Sequence, residues 1–202
     1  MKKIIVLTLA LVFCLGVMTS CKNPNDSFVP AGFKKASNKN ADYTLYVPEG
    51  WIVEMSTGVT TAYVSERDRS NISFMGFELD DAIIRFDKDG ENGDGEAPVT
   101  SGENGEVNIT TIDQYWDYYS SEFEKTFSDM EYSVNGENLL VSKIAAKKYV
   151  YTATVTGQKY KFMQVVTITK GSVYILTYTA HEEIFDSHLE KVEEIVTHIE
   201  LK

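Results

Sequence analysis

Hydrophobic and polar positions alternate along most of the chain after residue 40, and the period of the pattern changes three times. Tyr43-Thr44-Leu45-Tyr46-Val47 alternates and stops at Pro48-Glu49-Gly50, a turn signal, and Trp51 to Met55 resumes the pattern. Thr61 to Ser65 and Asn71 to Glu78 read as two further strands, with Glu66-Arg67-Asp68-Arg69-Ser70 as a polar turn between them. Apolar residues then thin out. From about residue 80 to 110 the chain carries Asp87, Asp89, Glu91, Asp94 and Glu96 among glycines, and a patternless stretch of that length reads as functional or mobile.

At Thr111 the period shifts to that of a helix. Ile112, Tyr115, Trp116, Tyr119, Phe123 and Phe127 recur at three- and four-residue steps, and Thr111 with Gln114 fits a capping box. The aromatic stripe predicts burial against a sheet; a ligand groove is the alternative. Strand patterns then return. Asn135-Gly136 between Tyr132-Ser133-Val134 and Leu139-Leu140-Val141 predicts a hairpin. Lys148 to Val155, Tyr160 to Thr169 and Val173 to Thr179 follow, joined at Gly157-Gln158 and Lys170-Gly171. Neighbouring strands on such short turns must be antiparallel, because a parallel pair needs a long crossover. The last element, from about Glu182 to Glu200, reads as a helix. Its apolar face carries Ile184, Phe185, Leu189, Val192, Ile195, Val196 and Ile199, with Glu190, Lys191, Glu193 and Glu194 opposite. Strands, helix, strands, helix predicts an α+β domain with an antiparallel sheet covered by helices.

Before residue 41 the pattern is of another kind. Lys2 and Lys3 precede an apolar run from Ile4 to Val17, and Met18-Thr19-Ser20-Cys21 follows. A basic start, an apolar core and small residues before a cut site make a secretory signal over residues 1–20. The apolar run is shorter than the roughly 20 residues that span a bilayer. Met18-Thr19-Ser20-Cys21 resembles the bacterial lipobox, which implies lipid attachment at Cys21, a lipidated tether over residues 21–40, and a domain over residues 41–202 with the acidic insertion inside it. Attached acyl chains would hold that domain on the extracytoplasmic face of a cell membrane. The tether is rich in Asn, Lys, Ser and Pro; within it, Phe33 may begin the fold or belong to the linker.

Composition narrows the chemistry. The formal net charge is −11 and becomes more negative when Lys2 and Lys3 leave with the signal. Such a charge argues against nucleic acid as a partner. The two cysteines are Cys14, inside the signal, and Cys21, so the folded domain has no thiol for a disulfide, a metal site or nucleophilic catalysis.

The stretch Tyr43-Thr44-Leu45-Tyr46-Val47-Pro48-Glu49-Gly50-Trp51 resembles the opening strand and turn of PsbP-like domains. The hairpin from Tyr160 to Ala180, followed by a C-terminal helix, resembles their end. The resemblance covers residues 33–201 if the acidic stretch is an insertion. It implies an α/β/α sandwich, as in PsbP and the Ran-binding Mog proteins. It also implies non-enzymatic docking, and it carries over no catalytic residue.

No nucleophile elbow, phosphate-binding loop or dinucleotide fingerprint occurs, and His181, His188 and His198 lack the spacing of a zinc site. The acidic run Asp87 to Glu96 offers oxygen ligands for calcium on a glycine-rich loop. It departs from the EF-hand at Asn92 and Pro98 and also reads as a plain solvated loop. No cofactor is expected. The expected function is a non-catalytic binding or accessory module, anchored at Cys21, with the membrane and an envelope protein as partners. The alternatives are a small-molecule-binding protein or enzyme with a pocket near Tyr115, Trp116 and Tyr119, and a calcium-binding envelope protein.

Overall fold

The structure, a computed structural model, describes residues 29–37, 41–79 and 109–202. Cys21, the signal and the acidic run Asp87 to Glu96 lie outside these residues.

A seven-stranded sheet forms the centre. It contains β4 (Ile52–Ser56), β5 (Val59–Tyr63), β6 (Asn71–Glu78), β7 (Glu131–Val141), β8 (Ile144–Val155), β9 (Gln158–Thr169) and β10 (Ser172–His181), in the order β4-β5-β6-β10-β9-β8-β7. Every neighbouring pair is antiparallel. The predicted α+β class is correct. Two short pairings flank the sheet: β1 (Phe33–Lys35) with β3 (Tyr46–Pro48), and β2 (Tyr43–Thr44) with β11 (Glu200–Leu201). Within the stretch read as tether, therefore, Phe33–Lys35 is a strand and Phe33 is a core residue.

The helix α1 (Ile112–Thr126) lies between β6 and β7 in sequence, and those strands are far apart in the sheet, so the chain crosses one face. Thr111 caps it as expected: its hydroxyl accepts from the Gln114 amide while the Gln114 side chain accepts from the Thr111 amide. The C-terminal element is shorter than expected. A single 3₁₀ turn (Glu182–Ile184) leads into α2 (Asp186–Thr197), and the chain finishes in β11 rather than in helix.

The alternation of the strands sorts side chains onto two faces. Leu176, Tyr178, Met163, Phe74 and Ile72 pack under α2 and the N-terminal strands, with Leu45, Val192 and Ile195. Ile175, Val166, Tyr149 and Tyr151 pack under α1 with Tyr115 and Trp116. On the first face, Gly76 lies opposite Tyr174, whose ring would stand 2.7 Å from a Cβ added there. The absence of a side chain at that position lets the Tyr174 hydroxyl donate to Asp42 at 2.5 Å. Burial and the neighbouring Asp42 carboxylate push that phenol up to about 12.

One predicted turn is not a turn. Asn135-Gly136 lies inside β7, where Gly136 takes a left-handed φ of 84° and marks one of two register shifts against β8. The hairpin instead closes at Ser142-Lys143, with φ of 52° and 67°. Pairing with the whole length of β8 outweighs the local signal, so the glycine becomes a bulge. The bulges have a use: they bring Tyr132 to the α1 face while Val134, Leu139 and Val141 reach the α2 face. They also twist an edge strand away from flat pairing with another chain.

Candidate functional site

The pocket expected near Tyr115, Trp116 and Tyr119 is not where those residues are. Tyr115 and Trp116 are buried, and Trp116 stacks on Tyr149 with ring centres 3.6 Å apart and planes 7° from parallel. Tyr119 is half-buried over Gln164, whose side chain accepts from the Tyr151 hydroxyl at 3.1 Å and donates to Thr177 at 3.0 Å. This end of α1 is packing.

Space opens at the other end of the same helix. Phe123 and Phe127, with Tyr151, Val155 and Phe162 beneath them, enclose an apolar slot of about 240 Å³. Tyr160 and Thr179 line both this slot and a second, larger groove of about 520 Å³. The floor of that groove is the part of the sheet carrying Tyr63, Asn71 and Thr179. Its far wall is the turn between β5 and β6, with Arg67 and Arg69.

That wall is built by hydrogen bonds that leave little slack. The Val64 amide donates to the Ser70 carbonyl at 2.9 Å, and the Ser65 amide to the Asp68 carbonyl at 3.0 Å. The Ser65 hydroxyl accepts from the Asp68 amide at 3.0 Å, and the Asn71 side chain donates to the Arg69 carbonyl at 3.0 Å. The Asp68 carboxylate is occupied twice, by the Ser70 amide at 2.9 Å and by His188 Nε2 of α2 at 2.7 Å. Burial alone would raise the Asp68 pKa, but the Ser70 and His188 contacts outweigh it and hold the group below its ordinary value.

Asp68, which also lines the groove, is bonded to Ser70 and His188 rather than to the arginines beside it. Among the described residues neither Arg67 nor Arg69 forms an ion pair with a carboxylate. Arg69 lies over the Tyr63 ring at 4.0 Å, which steadies its guanidinium plane without using its donors. His181 stacks on Tyr160 at 4.4 Å on the opposite wall. The groove therefore presents N–H and O–H donors around a cationic pair, which is the chemistry of anion recognition.

The three histidines are separated: His181 stacks on Tyr160, His188 meets Asp68, and His198 packs against Phe33. Among the described residues no group of three His, Cys, Asp or Glu side chains gathers for a metal. No helix among them is long and apolar enough to cross a membrane.

Compared by sequence, the chain matches no family model and no curated protein. Compared by structure, it resembles cyanobacterial PsbP (CyanoP) from Synechocystis sp. PCC 6803. The TM-score is 0.55 at 12% identity, over 90% of this chain and 98% of that one. The fold is PsbP-like. Two more distant likenesses are PA94 of Pseudomonas aeruginosa and LpqN of Mycobacterium tuberculosis, the latter involved in cell envelope biogenesis. PA94 gives a TM-score of 0.48 at 15% identity, over 82% of this chain and 94% of its own. LpqN gives 0.44 at 12%, over 78% and 82%. At such identities a shared PsbP-like fold says nothing of ligand or activity.

Proposed function

We propose that this PsbP-like protein is an extracytoplasmic binding module, anchored through lipid at Cys21, that holds a small anionic ligand in the groove and has no catalytic activity of its own. One observation carries the reading. Two arginines face a groove without an ion-paired carboxylate among the described residues, in a chain whose formal charge is −11. In so acidic a protein, nearby carboxylates would be expected to pair with them. The Asp68–His188 pair buttresses the wall. An envelope protein is the expected partner. Its natural place is β4, an edge strand whose register with β5 is unbroken and which exposes Met55.

Thermal unfolding with a panel of small anions, cations and neutral compounds tests the groove. A bound anion at about a hundredfold over its Kd raises Tm by about 5 °C or more. That gain should vanish in the R67A/R69A double variant. Anions that stabilise wild type and double variant alike contradict the reading. The anchor is tested separately by Cys21→Ser, which should move the protein from the membrane to the soluble fraction of cells.

A further inference from the structure

The groove and the apolar slot are neighbours that share Tyr160 and Thr179 in their walls. A ligand made only of charge would use one of the two. The slot exposes ring surface from Phe123, Phe127 and Phe162, each partly accessible. Half-buried rings meeting at a slot contribute little to stability and leave apolar area in water, where covering it gains about 25 cal/mol per Å². At the other end, two guanidiniums call for an anion.

Resting on the reading of the groove as an anion site, we infer that its ligand is a single-chain anionic amphiphile. The head lies between Arg67 and Arg69, and the alkyl chain lies in the slot between Phe127 and Phe162. A slot of about 240 Å³ has room for a short alkyl chain. A cationic amphiphile would meet like charge. A neutral one would leave both guanidiniums without an acceptor.

Calorimetric titration of the full chain with octanoate, acetate, 1-octanol and octyltrimethylammonium tests this. Octanoate is expected to bind at least tenfold more tightly than the other three. R67A/R69A, on an exposed turn, should weaken octanoate at least tenfold. Phe127→Ala should weaken octanoate and leave acetate unchanged. Acetate binding as tightly as octanoate, with both lost in R67A/R69A, would overturn the amphiphile and leave the anion groove standing. Octanoate binding that R67A/R69A does not weaken, or no binding of either acid, would overturn both. Circular dichroism of each variant separates loss of the site from loss of the fold. If Phe127→Ala does not fold, Phe127→Leu keeps the volume roughly constant, and Val155→Asp charges the slot and should abolish octanoate binding alone.

Discussion

The two faces of the sheet are covered in different ways. Under α2 and the N-terminal strands the core is closed: Leu176, Met163, Ile72 and Ile195 are almost fully buried, and β2 paired with β11 ties the two ends of the described fold together. Under α1 the cover supplied by the described residues is partial. Its first two turns lie on Tyr149 and Val166, its last turn carries half-buried phenylalanines, and the β5–β6–β10 side of the sheet lies beside the groove. The closed face shows what stability requires of this chain, and the open face what is left for binding. A helix reaching only part-way across a wide sheet leaves a depression whose floor is rigid strand and whose walls belong to separate elements.

The sharpest break in that comparison is Phe74→Ala. The ring packs at 4.5 Å against Tyr43 and stacks on Tyr174 in the closed face. Its loss should cost about 3–5 kcal/mol in urea unfolding, whereas Phe127→Ala in the slot should cost under about 1 kcal/mol. Similar losses at both positions would erase the distinction. Gln164→Leu comes next. It removes the acceptor for Tyr151 and the donor to Thr177 in a buried setting, so about 1–3 kcal/mol should be lost through the groups left unsatisfied.

Asp68 sharpens the comparison through pH. Its carboxyl is held below the ordinary value of 3.8, so its stabilisation is fully present above about pH 4 and disappears as pH falls through the lowered value. Wild type should exceed Asp68→Asn by about 1 kcal/mol at pH 5, and the gap should close as the solution is acidified below about pH 3. A gap that persists there would mean the carboxylate is not what locks the wall. The smallest effect is expected at Tyr149→Phe. The Tyr149 hydroxyl is buried with no hydrogen-bond partner among the described residues, and burial pushes its pKa up. Removing it should leave stability unchanged or raise it by up to about 1 kcal/mol, as read in the same unfolding series.

Local signals in the sequence account for much of the fold. The Thr111–Gln114 box, the turns at Gly157 and Gly171 and the apolar stripe of α2 are all set by neighbouring residues, and each lies where its pattern places it. Asn135-Gly136 was misread because its environment is not local: strand length there is set by the partner β8. The groove was illegible for the same reason. Glu66-Arg67-Asp68-Arg69-Ser70 reads as a balanced polar turn, but His188, 120 residues along the chain, meets the Asp68 carboxylate, and among the described residues neither arginine has an ion pair. The helix stripe showed which side of α1 would face the sheet. It carries no sign of where the helix overhangs: the stripe's predicted burial holds at Tyr115 and Trp116, and the slot, which the alternative reading puts near Tyr115, Trp116 and Tyr119, lies further along at Phe123 and Phe127.

The claim that the groove is an anion site through both arginines is tested most directly by nuclear magnetic resonance of the side-chain Nε–Hε groups of Arg67 and Arg69 during an octanoate titration. The account predicts that both signals shift together and saturate, while signals from the α2 face stay in place. Arginine signals that do not move while octanoate is in excess would contradict it.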